Sequence, residues 1–255
     1  MNIAVITFDA LRWDATNLAE TPRLKKLFNH TNTQWHKVYA QGTFTLPSHI
    51  AIFQNGQFPS NEFDDDVQDE YTRRNNMFRW FQVKLPWKEK MRKCRFELPE
   101  TSNLVNSFEK LGYNTVGIGG VNWFSTEVET TNIWNHYFKT FHWQSGFQER
   151  EFDAFEKQIE LIHRIDLSAP LFFFLNISAT HIPCRGNETI RGQADALGYI
   201  DFNIMDVIAA LPKPLTLFLL SDHGTLFQED NAGLTGHGFY HPKIMEIPMN
   251  VLSLQ

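Results

Sequence analysis

A chain of 255 residues with 42% hydrophobic content is long enough to bury a large core, either as one large domain or as a domain carrying an insertion. Its formal charge of −6 excludes a generally basic, nucleic-acid-binding surface, and its two cysteines, Cys94 and Cys184, exclude a disulfide scaffold. The opening segment "MNIAVITFDA" lacks the basic n-region of a signal peptide, and the most apolar run, residues 170–177, is far short of the roughly 20 residues of a membrane span. These features predict a cytoplasmic protein.

Apolar runs of strand length fall at residues 3–8, 115–118, 171–177 and 215–220, with a shorter candidate at 249–252; they read as buried parallel strands. Segments of helical spacing lie between them, at 22–28, 47–53, 102–111, 152–165 and 194–211. Strands alternating with helices of this length predict an α/β sheet covered on both faces. Residues 61–98 break the rhythm, beginning acidic in "NEFDDDVQDE" and turning basic and aromatic in "RWFQVKLPWKEKMRKCRFE". This stretch reads as an insertion over the sheet edge. It is either a solvated excursion whose charges pair with each other, or a lid in which Lys84, Lys88, Lys90, Arg92, Lys93 and Arg95 hold a polyanion.

Ligands of open α/β sheets gather at the carboxyl ends of the strands. Asp9 follows the first strand, His181 follows the run ending at Ile177, and Asp222 and His223 follow the run ending at Leu220. Asp9 alone also reads as a helix cap or turn residue. The adjacent Asp222 and His223, followed by Gly224, offer a carboxylate oxygen and an imidazole nitrogen, donors that suit a divalent cation. In "TFTLPSHIAIFQNG" a helix starting near Pro47 aims free N–H groups at Thr45 and favours an anion beside it. Thr45 is then either a helix cap or, in contact with a cation on Asp9, Asp222 and His223, a nucleophile toward phosphorus or sulfur.

The segments "VITFDALRWD", "TPRLKKL", "TLPSH", "LVNSFEKLGYNTVGIGG", "THIP" and "LLSDHG" with its later "GHG" stand in the order found in the alkaline phosphatase superfamily. The chain most resembles the sulfatase-like branch, over nearly all its length except residues 61–98. The resemblance implies a three-layer α/β sandwich with a mostly parallel central sheet, in one domain over 1–255 that lacks the branch's usual C-terminal subdomain. It implies a metal shared by Asp9, Thr45, Asp222 and His223, with Thr45 as nucleophile. It also implies that His181 meets the transferred group or leaving oxygen, and that His237 faces the anionic substrate or a second metal. Asp14 and His241 are secondary candidates, Asp14 reading equally as an N-cap.

Two departures from the sulfatase pattern move the expected substrate. Formylglycine sulfatases need Cys or Ser in a C/S-x-P/A-x-R context, whereas this chain has Thr45 and His49 at those positions. Threonine cannot become that aldehyde, so the resemblance implies metal-dependent hydrolysis of phosphate mono- or diesters through a covalent phospho-threonine. The alternatives are phosphotransfer to an acceptor hydroxyl, sulfate-ester cleavage and a non-catalytic sulfatase-like binding protein. In the second departure, Ile177 stands where two-metal relatives carry the Asp of a D-x-x-x-H pair. That favours one divalent ion, zinc, manganese or calcium, over two. The expected partner is a small anionic phosphoester, with no membrane and no nucleic acid. Cys184 reads as an inert thiol, and Trp123 and Tyr240 carry no assigned role.

Overall fold

The computed structural model describes residues 1–54, 103–127, 133–144, 151–181, 188–233 and 235–255. The 61–98 segment with its cluster of cations, and Cys184, lie outside the described residues. The strands are β1 (Asn2–Phe8), β2 (His36–Tyr39), β3 (Asn114–Gly119), β4 (Thr140–Trp143), β5 (Leu171–Ile177), β6 (Leu215–Ser221) and β7 (Glu246–Leu254). They form one sheet in the order β2-β7-β6-β1-β5-β3-β4. The longest apolar runs take the middle of the sheet: β1 pairs in parallel with β5 on one side and β6 on the other.

Helices cover both faces, as three layers require. The period-2 alternation of a strand sends Ala4, Ile6 and Phe8 of β1 and Phe173 and Leu175 of β5 to one side. There they meet α1 (Ala15–Leu18), α2 (Pro22–Thr31), α6 (Glu151–Ile162) and α7 (Ile190–Ala210) through Ala15, Leu24, Phe155, Leu197 and Ile204. Val5, Phe172 and Phe174 point the other way, onto α3 (Thr45–Phe53), α4 (Leu104–Lys110) and α5 (Trp134–Tyr137), through Ile50, Phe53, Val105 and Trp134. Each fully buried aliphatic or aromatic side chain in these layers contributes about 1.5–3 kcal/mol. A last short helix, α8 (Pro242–Met245), leads into β7.

Three features differ from the sequence expectation. β7 spans the 249–252 candidate but runs antiparallel to both β6 and β2; it is re-entered from α8, without the long covering helix that a parallel return uses. β2 and β4 were not anticipated. Each has only four residues and lies at a sheet edge, where a strand needs no continuous apolar run. α3 begins at Thr45 rather than near Pro47, and α7 at Ile190 rather than Ala194. Among the described residues no helix is long and apolar enough to cross a membrane.

Candidate active site

Three central strands end at one edge of the sheet and deliver the candidate residues there. Asp222 directly follows β6, Asp9 directly follows β1, and His181 follows a short 3-10 turn (Ser178–Thr180) after β5. The loops are tied together by their backbones. Asp9 N–H donates to the Ile177 carbonyl at 3.0 Å, and Thr180 Oγ1 donates to the Asp9 carbonyl at 2.7 Å. Ala10 takes the left-handed conformation, φ 57°, and its N–H donates to Asp222 Oδ1 at 3.0 Å.

Thr45 is the first residue of α3. Its predecessor Phe44 is extended and makes no side-chain cap, so the Thr45 hydroxyl is not spent on capping. Instead Thr45 Oγ1 lies 3.4 Å from Asp9 Oδ2 and 3.3 Å from His223 Nε2, fully buried. Pro47 sits in the first turn, where its missing N–H leaves nothing unpaired, and the remaining amides and the helix dipole favour negative charge beside Thr45.

The carboxylates are poised for a cation. Asp9 Oδ2 accepts from Asn176 Nδ2 at 3.1 Å, and Asp222 Oδ1 accepts the N–H groups of Ala10 and His223. The other oxygen of each, Asp9 Oδ1 and Asp222 Oδ2, is buried without a hydrogen-bond partner. His223 Nδ1 lies 2.8 Å from the Gly224 carbonyl; a carbonyl only accepts, so Nδ1 carries the proton and Nε2 presents a lone pair. That Nε2 is 3.4 Å from Asp222 Oδ2 and 4.0 Å from Asp9 Oδ1. Ligand atoms from Asp9, Asp222 and His223 lie within 4.8 Å of one another.

Without a positive charge between them, the two acids are held in a strained protonation state. Burial, then repulsion from Asp222, pushes Asp9 up to about 7, and burial pushes Asp222 up to about 7 against its backbone hydrogen bonds. Burial lowers His223 to about 4 and His49 to about 3. Orphaned carboxylate oxygens facing an imidazole lone pair are the donor set of a divalent ion with mixed N and O ligands, and the residues present fit one.

The remaining candidates divide. His181 Nε2 lies 3.9 Å from Asp9 Oδ1 with 13% of its side chain exposed. His237 is half-buried, its ring centroid 4.5 Å from that of His223 and 5.3 Å from that of His181; burial, then the other two histidines, holds it well below the usual histidine range. A cavity of about 820 Å³ lined by His181, Glu188, Phe227, Gln228 and His237 opens beside this group. Asp14 and His241 are employed elsewhere. Asp14 accepts from the buried Arg12, Nε to Oδ1 at 2.8 Å, and His241 caps α8 by accepting from Lys243 N–H at 3.2 Å. Trp123 packs its ring 5.4 Å from that of Phe44, and Tyr240 packs against the small apolar cluster around Ile244.

No family model matches the chain, and no curated protein matches it. Solved structures do. The C-terminal periplasmic domain of EcEptC from Escherichia coli, in complex with Zn, superposes with a TM-score of 0.63 at 12% identity, over 100% of this chain and 73% of that one. The C-terminal periplasmic domain of phosphoethanolamine transferase EptC from Campylobacter jejuni gives 0.56 at 13%, over 98% and 78%. A protein in the alkaline phosphatase superfamily from Vibrio parahaemolyticus gives 0.55 at 13%, over 99% and 60%. This is the alkaline phosphatase superfamily fold. Two of these three neighbours are periplasmic domains, so the fold gives the cytoplasmic expectation no support.

Within the alkaline phosphatase fold, three polar side chains that sequence reasoning passed over hold the site together. Thr7 and Asn176, both fully buried, stand opposite each other on β1 and β5. Gln193 of α7, also fully buried, donates to the Ala10 and Thr180 carbonyls at 2.8 and 3.0 Å and accepts from Arg12 N–H at 3.0 Å. For Thr7 and Asn176 the available signal was a polar letter inside a run that is otherwise buried, which is costly unless paired.

Proposed function

We propose that this chain cleaves phosphate esters with the help of a divalent metal, through a covalent phospho-threonine at Thr45. The observation that supports the reading is the buried Thr45 hydroxyl, 3.3 Å from His223 Nε2 and 3.4 Å from Asp9 Oδ2, beside two partnerless carboxylate oxygens. Asp9, Asp222 and His223 would hold the metal, with Thr45 sharing it. One ion, zinc by preference over manganese or calcium, suits the mixed donors. When bound, it supplies positive charge for the threonine alkoxide and for the phosphoryl oxygens.

The chain's own groups do the rest. Thr45, oriented by its hydrogen bond to Asp9 Oδ2, gives up its hydroxyl proton to water, and its oxygen bonds to phosphorus as the bond to the leaving alcohol breaks. The amides at the start of α3 face the phosphoryl oxygens. His181, on the open side of the site, donates a proton to the leaving oxygen, and His237 borders the anion. Water then attacks phosphorus and frees Thr45. The likeness to a phosphoethanolamine transferase domain supports a second reading in which an acceptor hydroxyl replaces that water.

The test is release of nitrophenolate from p-nitrophenyl phosphate and bis(p-nitrophenyl) phosphate with zinc, manganese or calcium added. Metal-dependent turnover that disappears in Thr45→Val is expected, and failure with every metal sinks the proposal. Product formed on an added alcohol, rather than inorganic phosphate, assigns transfer over hydrolysis.

A further inference from the structure

Beneath the candidate metal ligands lies a set of buried polar groups with no part in the reaction as written above. His49 is fully buried, and its ring packs edge-on against Phe124 at 4.9 Å and Phe174 at 5.4 Å. Its Nδ1 lies 2.8 Å from the Thr45 carbonyl, one helical turn back, and its Nε2 lies 3.0 Å from Thr7 Oγ1. Thr7 Oγ1 and Asp9 Oδ2 both receive hydrogen bonds from Asn176 Nδ2, each at 3.1 Å. Asp9 Oδ2 in turn accepts from Thr45 Oγ1.

The donors and acceptors permit one assignment. The Thr45 carbonyl only accepts, so His49 Nδ1 carries the proton and Nε2 accepts from the Thr7 hydroxyl. Asn176 Oδ1 accepts the Gly120 N–H at 3.3 Å, which fixes its amide so that Nδ2 faces Thr7 and Asp9. Every bond then has one proton and one acceptor, and the chain of bonds closes on itself through α3, β1 and β5. The sheet register sets its dimensions, because Thr7 and Asn176 are cross-strand partners. A polar network this deep is stabilising only when it is satisfied, and here every member atom is paired except Asp9 Oδ1.

We propose that Thr7, Asn176 and His49 act as positioning residues: their closed ring of hydrogen bonds aims the Thr45 hydroxyl at Asp9 Oδ2 and leaves Asp9 Oδ1 free for the cation. The ring engages one oxygen of Asp9 from two sides and none of its protons reaches the other. It also ties the first turn of α3 to β1, which carries Asp9 at its end, so nucleophile and ligand move together. A neutral histidine here, where sulfatases carry arginine, adds no fixed charge beside the nucleophile. The catalytic consequence rests on the phosphoester reading; the ring itself does not.

The experiment therefore has two arms. In metal-free, 15N-histidine-labelled protein, a long-range proton–nitrogen spectrum, with His49 assigned by its loss in His49→Gln, should show the Nδ1–H tautomer with an accepting Nε2. Thr7→Val should shift that Nε2 toward a free lone pair, and Thr7→Ser should restore it. An Nε2–H tautomer, or an unmoved Nε2 in Thr7→Val, overturns the ring. In the zinc-loaded protein, Thr7→Val should lower kcat for bis(p-nitrophenyl) phosphate about tenfold, the rate equivalent of one lost buried hydrogen bond, with KM and zinc affinity little changed and Thr7→Ser recovering the rate. Asn176→Leu should weaken zinc binding by about tenfold or more, as loss of a ligand's supporting bond does. An active wild type whose Thr7→Val variant keeps full kcat overturns the positioning role. A wild type without turnover sinks the phosphoester reading alone, and the spectra and zinc titration still decide the ring.

Discussion

Thr45 Oγ1 lies 3.3 Å from His223 Nε2, across 178 residues of chain. The contact joins the first turn of α3 to the end of β6, and the bond from His223 Nδ1 to the Gly224 carbonyl keeps the lone pair of Nε2 on the site side. A hydroxyl held there is not taken up by capping, since α3 uses no side-chain cap.

Replacing Thr45 separates nucleophile from spacer. Thr45→Val keeps the volume and removes the oxygen, and should lower kcat/KM by roughly a thousandfold or more. Thr45→Ser keeps the oxygen and should retain measurable turnover. Acid quenching during turnover, followed by peptide mass analysis, should find phosphate on the peptide containing Thr45 in the wild type and none in Thr45→Val. Phosphate on a different residue would reassign the nucleophile.

Metal binding should be proton-linked. Asp9 and Asp222, each raised to about 7, hold protons in the metal-free protein below neutrality, and a cation must expel them. Affinity should therefore climb as pH rises to about 7, more steeply than tenfold per pH unit because two protons leave, and level off above it. His223, lowered to about 4, does not compete in that range. Titration calorimetry in buffers of different ionisation heat counts the protons directly. Asp222→Ala, which removes a ligand outright, should weaken binding by more than about a hundredfold.

The same shifts fix how metal-free stability varies with pH. The folded pKa values of Asp9 and Asp222 lie above the ordinary 3.8, so their contribution is complete below that value and is lost as pH rises through about 7. His223 works the other way, its contribution being lost as pH falls from 6.5 through about 4. Above pH 6.5 only the carboxyl contribution is still changing, so the melting temperature of the metal-free protein should fall through neutrality and a saturating cation should restore it. A flat melting profile across that range would mean the acids are not opposed as described.

Much of this site was legible from the chain because of where its residues stand. Asp9, Asp222 and His223 each follow a mostly apolar run, and a parallel sheet gathers such ends at one edge. The sense of β7 was not legible, since alternation repeats identically in either direction. Nor were β2 and β4, edge strands too short and too polar for a pattern to form. Thr7 in "VITF" and Asn176 in "FFFLNI" read as ordinary strand fillers until the register sets them side by side. The pairing that occupies Asp14, a secondary candidate that read equally as an N-cap, was not legible for a similar reason. Arg12, its partner, is two residues away, but the second anchor of that arginine, Asp230, lies 218 residues further along.

That anchor can be tested on its own. Arg12 is 1% exposed, with Nη1 2.8 Å from Asp230 Oδ2, and Lys243 Nζ pairs with the other oxygen of Asp230. Burial works to raise the Asp230 carboxyl, but Lys243 and Arg12 hold it below the usual carboxylate range. Asp230→Ala leaves a buried guanidinium edge unpaired, at a cost of about 2–3 kcal/mol, and should lower the melting temperature by about 5–10 °C. Asp14→Asn should leave metal affinity unchanged, because that carboxylate is engaged by Arg12. A loss of metal in Asp14→Asn would return Asp14 to the ligand set.

Gly224 tests the support behind His223. Its N–H donates to the Ile244 carbonyl at 2.7 Å and its carbonyl fixes the His223 ring, so the turn must press against the chain entering β7. A Cβ at this position would fall 2.1 Å from the Lys243 carbonyl oxygen, and a backbone atom there cannot swing aside. Gly224→Ala should push the turn outward, lowering stability by about 1–3 kcal/mol as overpacking does and weakening metal binding by about tenfold or more through the misdirected Nε2. Calorimetric unfolding and zinc titration read the two effects separately. Lost stability with unchanged zinc affinity would mean that the Gly224 carbonyl does not aim the ring.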